Sequence, residues 1–368
     1  MSLLGSVPCR RAYYYCRRCG QGFCPWDQAV GLTARNLTPG LERVTTLAGA
    51  VADSFERGAE LLGELAGQHL GESTLARTTE DAGGRIADAW QQGRTFGAKR
   101  DWSWHADRKG RRVAYVAHDA TGVRQQGEGG GKADGRMANV GMIYNPPPVR
   151  AAGVPQAGRP APRLQARYIA GLYPLAEMGP LLRRQGAQVG MDRADLWIGL
   201  TDGGNGLEDF IERNFPRVEV VILDFWHAAE YLADLAKARH PEDPEAAQAL
   251  REQWCRLLKE EGGAATLAVL REWDWPPRRP AVRAQLARVE EYFGKNLHRM
   301  EYPEYLAEGW HIGSGPVESA CKTVVGQRLK LAGMRWGEDG AQAVCHVRAL
   351  YRSEKGQWQA FWERNYTN

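Results

Sequence analysis

The chain has 368 residues, 43% hydrophobic and 25% charged, the composition of an ordinary soluble protein long enough for two or three domains. Forty-eight basic against 44 acidic residues give a net charge of +4, mildly basic and compatible with a polyanionic partner. The start MSLLGSVPCRR lacks the pattern of a secretory signal, and no run of about 18 apolar residues occurs, so secretion and membrane insertion are excluded and a cytoplasmic protein is expected.

Four of the seven cysteines, Cys9, Cys16, Cys19 and Cys24, crowd the first 24 residues. An odd total in a reducing compartment argues against a disulfide framework and points to metal. The Cys16-x2-Cys19 step suits two thiolates on one zinc, while the outer spacings fit no standard finger. So short a segment needs either a metal or a packed neighbour to hold it. Local basic pairs, Arg10/Arg11, Arg17/Arg18, Lys99/Arg100 and Arg278/Arg279, read either as solvated loops or as polyanion contacts.

From Thr38 the pattern becomes helical. Leu41, Val44, Leu47 and Val51 follow helix spacing, as do Leu61, Leu62 and Leu65; Gly67 breaks the run, and Ser73-Thr74 caps a third helix towards Trp90. Three helices so arranged read either as a plain bundle or as a helix-turn-helix that turns Thr74 and Arg77 towards DNA.

Residues 111–118 alternate and are rich in β-formers, predicting a strand that ends on Asp119; Met137 to Tyr144 predicts a returning strand. The intervening GEGGGKADGR fails the P-loop spacing and predicts a hairpin loop. Pro146 to Pro162 predicts a connection. A strand at Tyr168–Leu172, a helix over 174–188, a strand at Leu196–Leu200 before Asp202, a helix over 206–214 and a strand at Val218–Leu223 before Asp224 complete a mixed α/β pattern. Beyond His227 the chain is helical to Leu270, breaks at WDWPPRR, and resumes from Ala281 to Asn296. Trp254, Trp273 and Trp275 there read either as core or as a stack for a flipped base.

Trp310 to Trp336 predicts a helix opening at Pro316, with Val317, Ala320, Cys321, Val324 and Leu331 inward and Glu318, Lys322 and Gly326 along one outer line. Taken alone, Glu318 reads as a dipole-favoured acid paired with Lys322. Ser314 is not a hydrolase elbow, because Ile312 stands where that turn needs glycine. Carboxylates at strand ends converge above an α/β sheet. On a ribonuclease-H-like sheet the first and fourth strands are neighbours and the fifth lies at the edge, which favours Asp202 over Asp224 as the partner of Asp119.

The blocks AYVAHDATGV, IGLTDGGNGLEDFIERNFP, VVILDFWHAAEYL and HIGSGPVESACKTVVGQRLKLAGMRWGEDGAQAV, with YYYCRRCGQGFCPWD in front, span nearly the whole chain. Together they resemble DDE transposases of bacterial insertion sequences, nearest the ISKra group and more distantly the Mutator-like enzymes. The resemblance implies a ribonuclease-H-like mixed sheet interrupted by an all-helical insertion, with catalytic acids Asp119, Asp202 and Glu318. It implies two Mg²⁺ or Mn²⁺ ions on those acids, Asp224 and His227 as an accessory motif, and phosphate contacts by Lys322, Arg328 and Lys330. Expected partners are duplex DNA and further copies of the chain, in the bacterial cytoplasm at the nucleoid. The implied organisation is a cysteine knuckle over 1–37, a helical DNA-binding region over 38–100, a core over 101–227 and 309–368, and an insertion over 228–308. Relatives carry a further cysteine pair ahead of this chain's start, so the zinc element is expected to be truncated, and Asp119-Ala120-Thr121 replaces their usual Asp-Gly-Thr.

Overall fold

The protein was analysed as a computed structural model, which describes residues 1–146, 164–276, 279–354, 356–364 and 366–367. Five runs of β-formers build one mixed sheet: β1 (Val113–Val123), β2 (Arg136–Asn145), β3 (Gln165–Gly171), β4 (Leu196–Thr201) and β5 (Val218–Leu223). Their order is β3-β2-β1-β4-β5. β1 pairs antiparallel with β2, and β2 with β3, whereas β1–β4 and β4–β5 are parallel. The expected mixed α/β sheet is present, with the first and fourth strands adjacent and the fifth at the edge. The glycine-rich segment after Val123 joins two antiparallel strands, as a hairpin loop does. Most of the predicted connection at Pro146 to Pro162, and Arg278, lie outside the described residues.

β1 runs four residues past Asp119, because its antiparallel pairing with β2 continues to Val123↔Arg136. Asp119 therefore sits inside a strand. The parallel pairing with β4 stops earlier, at Ala117↔Leu200, so the sheet opens beside Asp119.

Before the sheet come α1 (Pro39–Val51), α2 (Phe55–Ala66) and α3 (Glu72–Gln91). The buried stripe of α1 is Leu41, Glu42, Thr45, Thr46, Gly49 and Ala50, so of the residues picked out by helix spacing Val44, Leu47 and Val51 lie off the buried face. α3 is capped by Gly71, which places Ser73 and Thr74 inside the helix. Its stripe, Leu75 to Trp90, packs on the last long helix, α11, named below. The two backbones touch at Gly83, where a β-carbon would collide with the Ala343 carbonyl oxygen at 2.4 Å.

α4 (Leu175–Gln188) covers β2 and β3, and α5 (Leu207–Asn214) covers β4 and β5. Between β5 and Glu318 the described chain forms α6 (Phe225–Arg239), α7 (Pro244–Glu272), α8 (Pro280–Asn296) and α9 (Tyr302–Glu308). α7 turns at Gly262, φ 82°, where the Gly263 amide donates to the Met300 carbonyl at 3.0 Å. Trp254 is fully buried, with Trp273 and Trp275 at 5.5 and 5.8 Å, so these rings are core. α10 (Gly315–Ala320) rests on β1 and β2, and α11 (Glu338–Arg352) rests on β3. No helix among the described residues is long and apolar enough to cross a membrane.

His346 of α11 lies between α3 and the sheet. Its Nδ1–H donates to the Gly83 carbonyl at 3.2 Å, and its Nε2 takes the Tyr173 hydroxyl at 2.5 Å. Burial pushes its pKa down from 6.5 to about 4. The unfolded chain therefore binds a proton below pH 6.5 that the folded chain refuses. The contribution is complete above that pH and is lost as pH falls towards 4, on the order of 3 kcal/mol. The melting temperature is expected to fall across this window, and His346→Gln should flatten that fall in a pH series of thermal melts.

Candidate functional site

Three adjacent strands carry carboxylates, Asp119 within β1 and Asp202 and Asp224 just past the ends of β4 and β5. Ala117 pairs with Leu200 and Thr201 with Leu223; continuing these registers sets Asp119, Asp202 and Asp224 at one level across the sheet. Their surroundings differ. Asp119 is half-buried; its Oδ1 accepts the Ala120 amide at 2.7 Å, and the Cys321 thiol faces it. Burial pushes its pKa up, and the Asp202 charge adds to the rise.

Asp202 lies in an open loop, its Oδ1 accepting the Gly204 amide at 2.8 Å. It faces a cavity of about 580 Å³ between the loop and helices α6 and α8, lined also by His227, Tyr231, Tyr292, Arg288 and Arg299. Tyr231 and Tyr292 stack at 4.0 Å. The buried Arg299 donates to the Thr201 hydroxyl and to the Asp202 carbonyl, each at 3.3 Å, and so ties the loop to the segment after α8.

Asp224 is fully buried. A buried carboxylate needs donors, and Asp224 has three. Oδ1 accepts the Trp226 amide at 3.1 Å, capping α6, and the Ser314 amide at 2.9 Å; Oδ2 accepts from the Ser314 hydroxyl at 2.5 Å. The same hydroxyl lies 2.6 Å from Glu318 Oε1, and His227 Nε2 is 3.6 Å from Asp224 Oδ2. Donor atoms of Asp224, His227 and Glu318 lie within 4.8 Å of one another, the only such triad among the described residues.

A hydroxyl has one proton, and ionised carboxylates only accept. With both acids ionised, one of Ser314's two contacts lacks a hydrogen. A cation beside both acids would offset this crowding of acceptors. Two carboxylates and an imidazole fit a divalent cation; the imidazole suits Mn²⁺ better than Mg²⁺, which prefers oxygen.

The compact triad thus pairs Glu318 with Asp224 and His227, and neither Asp119 nor Asp202 belongs to it. Sequence reasoning set Ser314 aside and gave no place to Arg299, Tyr231 or Tyr292. The one available signal was a serine four residues before Glu318, at the helix cap.

After Glu318 the helix widens into a π-turn over Cys321–Gly326, a form that recurs at functional sites and that breaks the predicted regular line of Glu318, Lys322 and Gly326. Lys322 is exposed and forms no ion pair with Glu318 among the described residues. Lys330 Nζ donates to the Thr121 hydroxyl at 2.6 Å, two residues beyond Asp119.

Arg328 corrects the expectation of a DNA contact. It is 1% exposed, its guanidinium donating to the Gly49 carbonyl at 3.0 Å between the Phe55 and Trp336 rings. Burial against carbonyls at the end of α1 keeps this guanidinium away from a phosphate in solvent.

Thr74 and Arg77 sit in the first turns of α3, Arg77 exposed and Thr74 partly so. Cys16 and Cys19 are exposed at the turn of an N-terminal hairpin, where hydrogen bonds from the Cys19 amide and thiol hold the Cys16 thiol below its usual pKa. Cys24 is buried instead, and Cys9 is exposed. No protein-family model and no curated protein matches the chain.

Ser314→Ala removes one donor from buried Asp224 and the link to Glu318. Urea unfolding of the metal-free protein is expected to show a loss of about 1–3 kcal/mol, with Ser314→Thr losing less. An unchanged midpoint for the alanine variant would refute the bridge.

Proposed function

We propose that this chain is a metal-dependent DNA transposase of the DDE type with a ribonuclease-H-like core. It binds terminal inverted repeats, cleaves at the element ends and joins the 3′-hydroxyls to target DNA. The observation that carries this reading is the shared level of Asp119, Asp202 and Asp224 on three adjacent strands, with Ser314 linking Asp224 to Glu318. The strand order β3-β2-β1-β4-β5 supports the core. The helical stretch from Phe225 to Glu308 supports an insertion ahead of Glu318.

Asp224, His227 and Glu318 are the residues that would hold a divalent cation, and Asp119 and Asp202 are the acids available to a second. When bound, Mg²⁺ or Mn²⁺ activates a water or 3′-hydroxyl and relieves charge on the leaving oxygen. Lys322 and Lys330 supply exposed cations for DNA phosphates on either side of the acids. Helices α1–α3, with Arg77 exposed, serve as the end-binding region, and Cys16 and Cys19 as half of a zinc site. Two ends must be held together, so the working form is at least a dimer on DNA.

The test uses duplexes from the DNA flanking the reading frame, in gel-shift and joining assays with pre-cut ends. Asp119→Asn, Asp202→Asn and Glu318→Gln are expected to retain end-binding and to lose joining by a factor of at least about 100. Asp224→Asn should lose joining and also melt at lower temperature, because its side chain is a buried acceptor, whereas Asp202→Asn should melt like the parent. Cleavage without joining in the parent protein would reassign it as a nuclease.

A further inference from the structure

The N-terminal hairpin has no core. Tyr14–Tyr15 pairs antiparallel with Gly22–Phe23, and every residue from Ser6 to Phe23 is exposed. Tyr13, Tyr14, Tyr15, Phe23 and Trp26 are 68, 56, 59, 51 and 44% exposed. Only two other large aromatics among the described residues, Trp226 and Tyr351, are exposed to the same class.

The rings occupy both faces. Tyr14 and Phe23 are cross-strand neighbours with centroids 6.0 Å apart. Tyr15 stands opposite Gly22, and the Tyr13 ring lies across that glycine, where any β-carbon would collide with it. An isolated two-stranded hairpin is marginally stable, and apolar surface of this kind marks a partner.

Charge narrows the choice of partner. Residues 1–37 hold five arginines and one acid, Asp27, a balance of +4; the whole chain also carries +4, so the remaining residues are neutral in sum. Arg11 is engaged with Asp27 and Asn36, whereas Arg10, Arg17 and Arg18 have no ion pair among the described residues. Exposed flat rings interleaved with free guanidiniums suit a strand of linked phosphates and unpaired bases. Duplex DNA hides its base faces. A lipid surface calls for a segment with its basic and apolar residues on opposite faces, and this hairpin carries rings on both.

We propose that the N-terminal hairpin is a binding surface for single-stranded nucleic acid, with Tyr13, Tyr14 and Tyr15 stacking on bases and Arg17 and Arg18 contacting phosphates. This goes beyond the strand-transfer reading, since the hairpin contains none of the carboxylates on which that reading rests.

The test is fluorescence anisotropy of the full chain with a labelled oligodeoxynucleotide of about 20 nucleotides and with its duplex, without added Mg²⁺ or Mn²⁺ so that nothing is cut. The parent is expected to bind the single strand more tightly. Tyr13→Leu/Tyr14→Leu/Tyr15→Leu should weaken single-strand binding at least about tenfold and change duplex binding less than about twofold. The matching triple phenylalanine variant, which keeps the rings, should retain parental affinity. Arg17→Gln/Arg18→Gln should weaken binding and reduce its salt dependence. The proposal is overturned if the leucine triple binds the single strand as the parent does, or if the phenylalanine triple loses as much. It is equally overturned if the leucine triple loses self-association or vesicle binding while single-strand affinity stays. Because no cleavage is measured, its failure is distinct from a failure of strand joining.

Discussion

The buried carboxylate of Asp224 is the joint on which the site depends. It follows the edge strand, caps α6 through the Trp226 amide and receives both donors of Ser314. Three elements distant in sequence are thereby held at one point. An acid stripped of water tolerates no missing donor, so the turn before Glu318 cannot move without exposing an unsatisfied charge. Glu318 itself stays exposed, and its place comes from the Ser314 hydroxyl that Asp224 holds.

Around that joint, two kinds of buried cation fasten the other parts. Arg299 ties the Asp202 loop to the end of α8. Arg348 donates to the Val324 carbonyl and, with Arg328, reaches carbonyls at the end of α1, binding the first helices to the segment after Glu318. These guanidiniums meet carbonyl oxygens, and burial lowers the pKa of Arg328 and Arg348 to about 10. The DNA-binding region proposed for α1–α3 is thus fastened to the Glu318 helix by fixed hydrogen bonds.

Much of the fold was legible in the chain. A continuous apolar run marked β4 to within a residue, because a strand covered on both faces leaves little room for polar side chains; β-branched residues marked β5, although it carries Glu219. Alternation marked β1 but not its length, since its last residues pair only with β2 and carry mixed chemistry. In α1, threonines and glycine line the buried side while Val51 faces water, so hydrophobic spacing named the wrong face.

For the site, sequence alone determined which residues could carry charge chemistry: acids after strands, an acid at a helix start and a histidine three residues after Asp224. Composition and local pattern suffice there, because strand ends and helix caps are local features. Which acids come together was decided only by the tertiary structure. Asp202 and Asp224 lie level on adjacent strands, but only Asp224 is buried against the turn that carries Ser314 and Glu318. That turn is 90 residues away along the chain, and no spacing rule reaches across the intervening helices. Burial likewise made Arg328 an internal strut and left Tyr13, Tyr14 and Tyr15 in water, because the path of the whole chain fixes which side chains lose their solvent.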